Sequence, residues 1–247
     1  MRIMDRSAIE QPAASQGSRV TQRLLLWSGI VGSVLFTATF LVEGATRPGY
    51  DPWRQPISAL SLGAGGWVQA VNFVVFGLLL ACFARGLGLA LAPGTGSKWA
   101  PRLQVVAALG LIIDGLFAQD PALGYPPGVA TPAVASGHAV LHLAGVTLVF
   151  TALPLRCFVL ARRFALESRV ERRWRGWAAY SVATGVVFWA LLVAFVVASG
   201  TQAGPAGLFE KLASIVMSVY GVSLASKLLA AGGRLSVAPR SPEEPSR

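Results

Sequence analysis

Two acids and the chain's only two histidines fall within one short stretch, from Asp114 to His142. It reads D-G-L-F-A-Q-D-P, then a Gly/Pro-rich loop, then G-H-A-V-L-H. His138 and His142 are four residues apart. On a helix both imidazoles would leave one face about 6 Å from each other, a spacing that suits one metal ion. A third ligand is needed; Asp114 or Asp120 is the natural supplier and zinc the candidate ion. The same groups also suit a pocket in which His and Asp pair by hydrogen bonds or exchange a proton without metal. A blander alternative makes His138 an interfacial contact and Asp120, which precedes Pro121, a turn residue. The turn lacks the intervening Glu of H-E-x-x-H, and so lacks a built-in general base.

What must position these groups is a chain that is mostly apolar. Hydrophobic residues make up 54% of the 247 and charged residues only 13%, against about 45–50% and about 25% in soluble proteins. The surplus has to face lipid. Lys and Arg outnumber Asp and Glu by 21 to 11, but the basic residues lie between long apolar runs and form no amphipathic stripe. That placement argues against a nucleic-acid partner. Cys82 and Cys157 both lie near expected cytoplasmic segment ends, where thiols stay reduced and serve as small packing residues.

Six runs are long enough to cross about 30 Å of hydrocarbon as helix: Leu24 to Val42, Trp67 to Ala84, Leu103 to Ala118, His138 to Leu160, Trp177 to Ser199 and Leu208 to Ala231. The expected architecture is an all-α six-transmembrane-helix bundle, with a polar N-tail at 1–23, the bundle at 24–231 and a disordered C-tail at 232–247. The first run is too long for a signal-peptide core and is expected to stay as an anchor. Basic residues concentrate in the N-tail, in the loops 85–102 and 156–175 and from Lys227 onward, leaving only Arg47, Arg54 and Lys211 on the other side. By the positive-inside rule both termini are cytoplasmic, in a plasma membrane. Trp27, Trp53, Trp67, Trp99, Trp174 and Trp177 sit at or beside the segment ends, where indole favours the headgroup layer. Small residues such as Gly29, Ser33, Gly77, Ser218 and Gly221 offer close helix packing, and Pro154 removes a backbone donor inside the fourth span.

With this topology the awkward polar residues gather on the outer side. Glu43 closes the first span, Asn72 lies early in the second, Asp114 one turn from the outer end of the third, and Glu210 opens the sixth. An ionisable residue within a span is a functional hypothesis by default. The common cause is an outward-facing polar pocket that includes Glu43, Ser58, Asn72 and Glu210. The first outer loop, G-Y-D-P-W-R-Q-P-I-S-A-L-S-L-G-A-G-G, is too long for a connector. Pro56 is placed to start a short helix whose Ile57, Leu60 and Leu62 rest on the membrane surface while Ser58 and Ser61 face polar groups, a lid for the pocket. No G-x-S-x-G elbow surrounds Ser58, and no phosphate loop, dinucleotide fingerprint or CxxC occurs. The arginine cluster from Arg162 to Arg175 suits anionic headgroups and fits a topology role equally well.

I-S-A-L followed by a Gly-rich turn, a span with Asn72 and Gly77, then D-G-L-F-A-Q-D and G-H-x-x-x-H resemble the six-helix membrane family of bacteria and archaea known as domain of unknown function 998. The resemblance runs from Leu24 to Ala231 and rests on Ser58, Asp120, His138 and His142 in that order. Where family members tend to read F-P-x-D, this chain reads Phe117-Ala118-Gln119-Asp120, keeping the acid without the proline. A weaker similarity is to membrane hydrolases of the alkaline ceramidase and adiponectin-receptor kind, which gather Ser, Asp and His around zinc but have seven spans and three histidines.

The function expected is binding of a lipid or small hydrophobic amphiphile in the outward pocket. The alternatives are a metal-dependent hydrolase of lipid amides or esters, with His138, His142 and an Asp as ligands, and a proton-coupled transporter that titrates Asp114 and the histidines. No inverted repeat or broken-helix pair supports the transporter.

Overall fold

The computed structural model describes residues 13–201, 204–233 and 235. Six helices account for most of them: α1 (Ala13–Thr46), α2 (Gly66–Leu91), α3 (Trp99–Leu116), α4 (Gly137–Val170), α5 (Trp177–Ser199) and α6 (Ala206–Ala230). All six are long and apolar enough to cross a membrane, and no strand occurs among the described residues. Residues 1–12 of the expected N-tail and 236–247 of the expected disordered C-tail lie outside the described residues.

Two boundaries differ from the apolar runs. α1 begins at Ala13, inside the expected polar tail, and α4 continues to Val170 through Arg162, Arg163 and Arg169. A helix once nucleated propagates through any residues that do not break it, so hydropathy marks the lipid boundary and not the helix end. α4 is therefore about 50 Å long, well beyond the hydrocarbon. Arg156, read from the sequence as the start of a cytoplasmic loop, lies inside α4 and is 2% exposed.

Each helix packs on the next in chain order and α6 returns onto α1, closing a ring. Glycine lets α3 and α4 approach: a Cβ on Gly110 would stand 2.5 Å from the Gly145 carbonyl oxygen, and one on Gly145 only 2.2 Å from Asp114 Oδ1. Apolar side chains such as Val34, Leu78, Leu109, Leu143, Val193 and Val219 remain exposed around the outside of the ring. In water they would be a liability; in lipid they are the contact surface.

The two ends of the ring are finished differently. At one, here termed the capped end, the segment 47–65 folds over the helix termini. Its short 3-10 helix, Ile57–Ser61, turns Ile57, Ala59 and Leu60 inward, each no more than 1% exposed. The expectation that Ile57 and Leu60 rest on the membrane surface is thus corrected: they complete the top of the bundle core, where burial removes more apolar area from water. At the other, basic end, Trp174 is fully buried instead of sitting in the headgroup layer. It stacks on Phe164 at 5.2 Å, with Lys227 Nζ 5.4 Å over its ring.

Candidate functional site

A slot runs down the axis of the ring and is lined by all six helices and the 3-10 helix. Its wall is aromatic and aliphatic, with Phe36, Phe73, Phe76, Phe83, Phe150 and Phe188 the largest contributors. Phe36 is the hub of that wall, stacked on Phe76 at 4.5 Å and 5.6 Å from Phe73. The empty space, counted to its mouth, is about 790 Å³, so narrow that the centre of a water molecule fits only about 70 Å³ of it. Val146 and Arg156 both line the slot and stand ten residues apart on α4, or about 15 Å of helix. The charged groups lie at two levels, Asp114 and Glu210 toward the capped end, where Ser58 joins them, and Arg156 well below, with the hydroxyls of Ser33, Ser214 and Ser218 also on the wall.

The capped end is a closed network. Glu210 Oε2 accepts from the Ile57 backbone N–H at 2.6 Å. Lys211 Nζ donates to the carbonyls of Pro52, Gln55 and Gly207 at 3.0, 2.8 and 3.3 Å. Tyr50 lies beneath that ammonium, its ring 5.0 Å away, and donates its hydroxyl to the carbonyls of Gln55 and Pro56 at 3.0 Å each. Burial, and then the Glu210 carboxylate, push the Tyr50 phenol above its ordinary pKa and keep it a donor. Ser58 Oγ donates to Gln119 Oε1 at 2.6 Å, tying the first loop to the segment after α3. The fit is close enough that a Cβ on Gly207 would lie 2.1 Å from the Gln55 carbonyl oxygen.

Of the residues expected in the pocket, Ser58 and Glu210 line the slot, joined by Asp114. Glu43 and Asn72 do not. Glu43 pairs with Arg47, one turn on along α1, and Arg47 in turn donates to the Gly65 carbonyl. Asn72 Nδ2 donates to the Phe36 carbonyl and to Gln69 Oε1, both at 3.2 Å, so it pins α2 to α1. Both act in the frame that holds the aromatic wall.

The four candidate metal ligands separate into two pairs. Asp114 and His142 are buried, with Nδ1 to Oδ1 at 3.7 Å. That imidazole nitrogen also lies 2.8 Å from the Phe117 carbonyl, which can only accept, so Nδ1 carries the proton. His142 Nε2 and Asp114 Oδ1 are left buried without a hydrogen-bond partner. His138 is exposed and lies edge-on to Phe117 at 5.4 Å. Asp120 Oδ2 accepts from the Ser136 backbone N–H at 2.8 Å, and Ser136 in turn caps α4 by accepting from Ala139 N–H. The hydrogen bonds from Ser136, and then the nearby His138, hold the Asp120 carboxyl below the usual carboxylate range. Among the described residues no three His, Cys, Asp or Glu side chains gather where one metal ion could sit. Zinc asks for at least three protein ligands. The residues present do not fit it, and no step below passes through a metal.

Two functional groups were not anticipated. Lys211 was legible only as a basic residue at a span end, whereas its ammonium organises the cap. Arg156 was hidden by position: it stands four residues before the end of the fourth apolar run and was counted with the loop arginines. Its neighbour Pro154, placing it still within the run, was the available signal. Its guanidinium donates to Gln104 Oε1, lies 3.5 Å from Met217 Sδ and sits over the Tyr220 ring at 5.6 Å.

No curated protein and no solved structure matches the chain. One family does, over residues 30–227, which takes in all six helices and both ends of the slot. The chain, with its six helices long and apolar enough to cross a membrane, therefore belongs to the protein family of unknown function DUF998.

Proposed function

We propose that this membrane protein binds a lipid or other small amphiphile within the bundle. The observation that carries the reading is the slot itself, a space on the axis of the ring with a mostly aromatic and aliphatic wall, the hydroxyls of Ser33, Ser58, Ser214 and Ser218, and the charged side chains Asp114, Glu210 and Arg156. Ligand sites are typically concave, mostly apolar and supplied with few polar groups. A bundle needing only stability would close the space, since voids cost packing energy. Its narrowness selects a slender, single-chain molecule over a two-chain lipid. By the positive-inside expectation the capped end faces away from the cytoplasm, so the cap formed by 47–65 stands between the slot and the exterior.

The hydrolase reading would need a third ligand beside Asp114 and His142, and none joins them among the described residues. A proton-coupled transporter could use that pair, but below Asp114 and Glu210 the wall offers only the hydroxyls of Ser33, Ser214 and Ser218 before Arg156, and no second carboxylate or histidine at that depth.

The test is a comparison of lipids retained through purification in a mild neutral detergent, read by mass spectrometry. Val149 faces the slot at mid-depth, and Val149→Trp fills it. Wild type should carry a defined single-chain lipid, and the variant should retain about tenfold less, equivalent to about 1.4 kcal/mol. Equal retention of the same lipids by both proteins would sink the reading.

A further inference from the structure

Arg156 is the cation that lines the slot, and no carboxylate among the described residues pairs with it. It is 2% exposed and lines the slot. Its partners are neutral: the Gln104 amide oxygen, the Met217 thioether and the face of Tyr220. No carboxylate lies within ion-pair distance of it; its Nε is without a hydrogen-bond partner, as is that of Arg163, so the carboxylate is what separates the two. The contrast with Arg163, seven residues on along the same helix, is direct. Arg163 is equally buried, yet it pairs with Glu167 at 2.8 Å and points toward the carbonyls of Pro93 and Thr95. A buried arginine on this helix is thus given a carboxylate where its role is structural.

A buried unpaired charge costs several kcal/mol, so an arginine kept in an apolar slot asks for an anion from elsewhere. We propose that the slot binds a single-chain anionic amphiphile, a long-chain carboxylate, with its head on the Arg156 guanidinium. This rests on the amphiphile reading above and adds the charge and direction of the ligand. Direction follows from the two levels of charged groups. Asp114 and Glu210 at the capped end disfavour an anion, while Arg156 offers the planar fork that takes a carboxylate through two hydrogen bonds. The alkyl chain then lies along Phe36, Phe73, Phe83 and Phe188 toward the capped end. The distance from Arg156 to the level of Val146, about 15 Å, is that of an extended acyl segment.

The experiment uses the full chain, delipidated in neutral detergent at mildly alkaline pH. Palmitate and its uncharged counterpart hexadecanol are titrated and bound molecules are counted by native mass spectrometry. Wild type should hold palmitate at least about tenfold more tightly than hexadecanol. Arg156→Gln should remove that preference, so that palmitate and hexadecanol bind alike, and Arg156→Lys should restore part of it. Gln104→Glu is the decisive variant, because it places a carboxylate where the amide already contacts Arg156. It should fold at least as well as wild type and still lose the palmitate preference, which a purely structural arginine would not predict. If Arg156→Gln fails to fold, Gln104→Glu carries the test alone. Equal binding of palmitate and hexadecanol by wild type, or an undiminished preference in Gln104→Glu, overturns the anion assignment and leaves the amphiphile reading standing. Failure of wild type to hold either probe overturns both.

Discussion

Lys211 and Arg156 are both buried cations of one helical ring, and their surroundings are opposite. The ammonium of Lys211 meets three backbone carbonyls and the ring of Tyr50, and the neighbouring Glu210 holds the Ile57 N–H. Every bond there joins one piece of this chain to another. The guanidinium of Arg156 meets an amide, a thioether and a ring, and part of it meets nothing. A buried polar group that is fully satisfied specifies structure, whereas one left short of partners marks strain or a ligand. The Lys211 network is therefore the part of the capped end that fixes the fold, and the slot around Arg156 the part that is kept open.

The strongest test of that contrast removes the cation from the cap. Lys211→Met leaves the carbonyls of Pro52, Gln55 and Gly207 without their donor and should destabilise the protein by about 3 kcal/mol. Unfolding of the variant in detergent, followed by loss of helical circular dichroism, measures it. A variant as stable as wild type would mean that the cap is decoration. The next test compares the two arginines of α4 in delipidated protein. Arg163→Met strands the buried Glu167 carboxylate and should cost about 2 kcal/mol. Arg156→Met strands no carboxylate and should lie within about 1 kcal/mol of wild type, on either side, because it also removes a desolvated charge. Equal losses at the two positions would show that Gln104 and Met217 serve Arg156 as well as Glu167 serves Arg163.

The fold was legible because lipid makes one demand of every span. Six apolar runs separated by basic or Gly/Pro-rich segments were enough to give six helices, even though α1 and α4 overshoot their runs. The site was only partly legible, because hydropathy gives depth along a helix and not direction around it. Glu43 and Glu210 were alike as acids at span ends, yet Glu43 turns to Arg47 on its own helix and Glu210 turns inward to Ile57. His138 and His142 share one face of α4, yet the rim leaves the first exposed while the second is buried beside Asp114. Trp174 followed the rule for interfacial tryptophans in sequence position, but a 3-10 turn at Arg172–Trp174 brings it back onto Phe164. Arg156 was the largest loss, since an arginine near the end of an apolar run reads as the boundary itself. Only its partners distinguish a boundary from a binding group.

The smallest expected effect concerns Asp120, which belongs to the capped end and should behave as structure. Its carboxylate accepts from Ser136 at the start of α4, and its pKa is depressed by those hydrogen bonds. A group whose folded pKa is lowered contributes stability above its unfolded value of about 4, and that contribution is lost as pH falls through the lower folded value. Asp120→Asn removes the titrating charge and should melt slightly below wild type at neutral pH. The two curves should converge only as the solution is taken below that depressed folded value, because protonated Asp120 then resembles the amide. Amide exchange at Ser136 and Ala139 should follow the same course, faster in the variant at neutral pH and equal in acid once corrected for intrinsic rates. If the curves instead run parallel through the whole range, the Ser136 contact contributes no charge-dependent stability. Asp120 would then be open to a role in binding, and the division between a closed cap and an open slot would lose its rim.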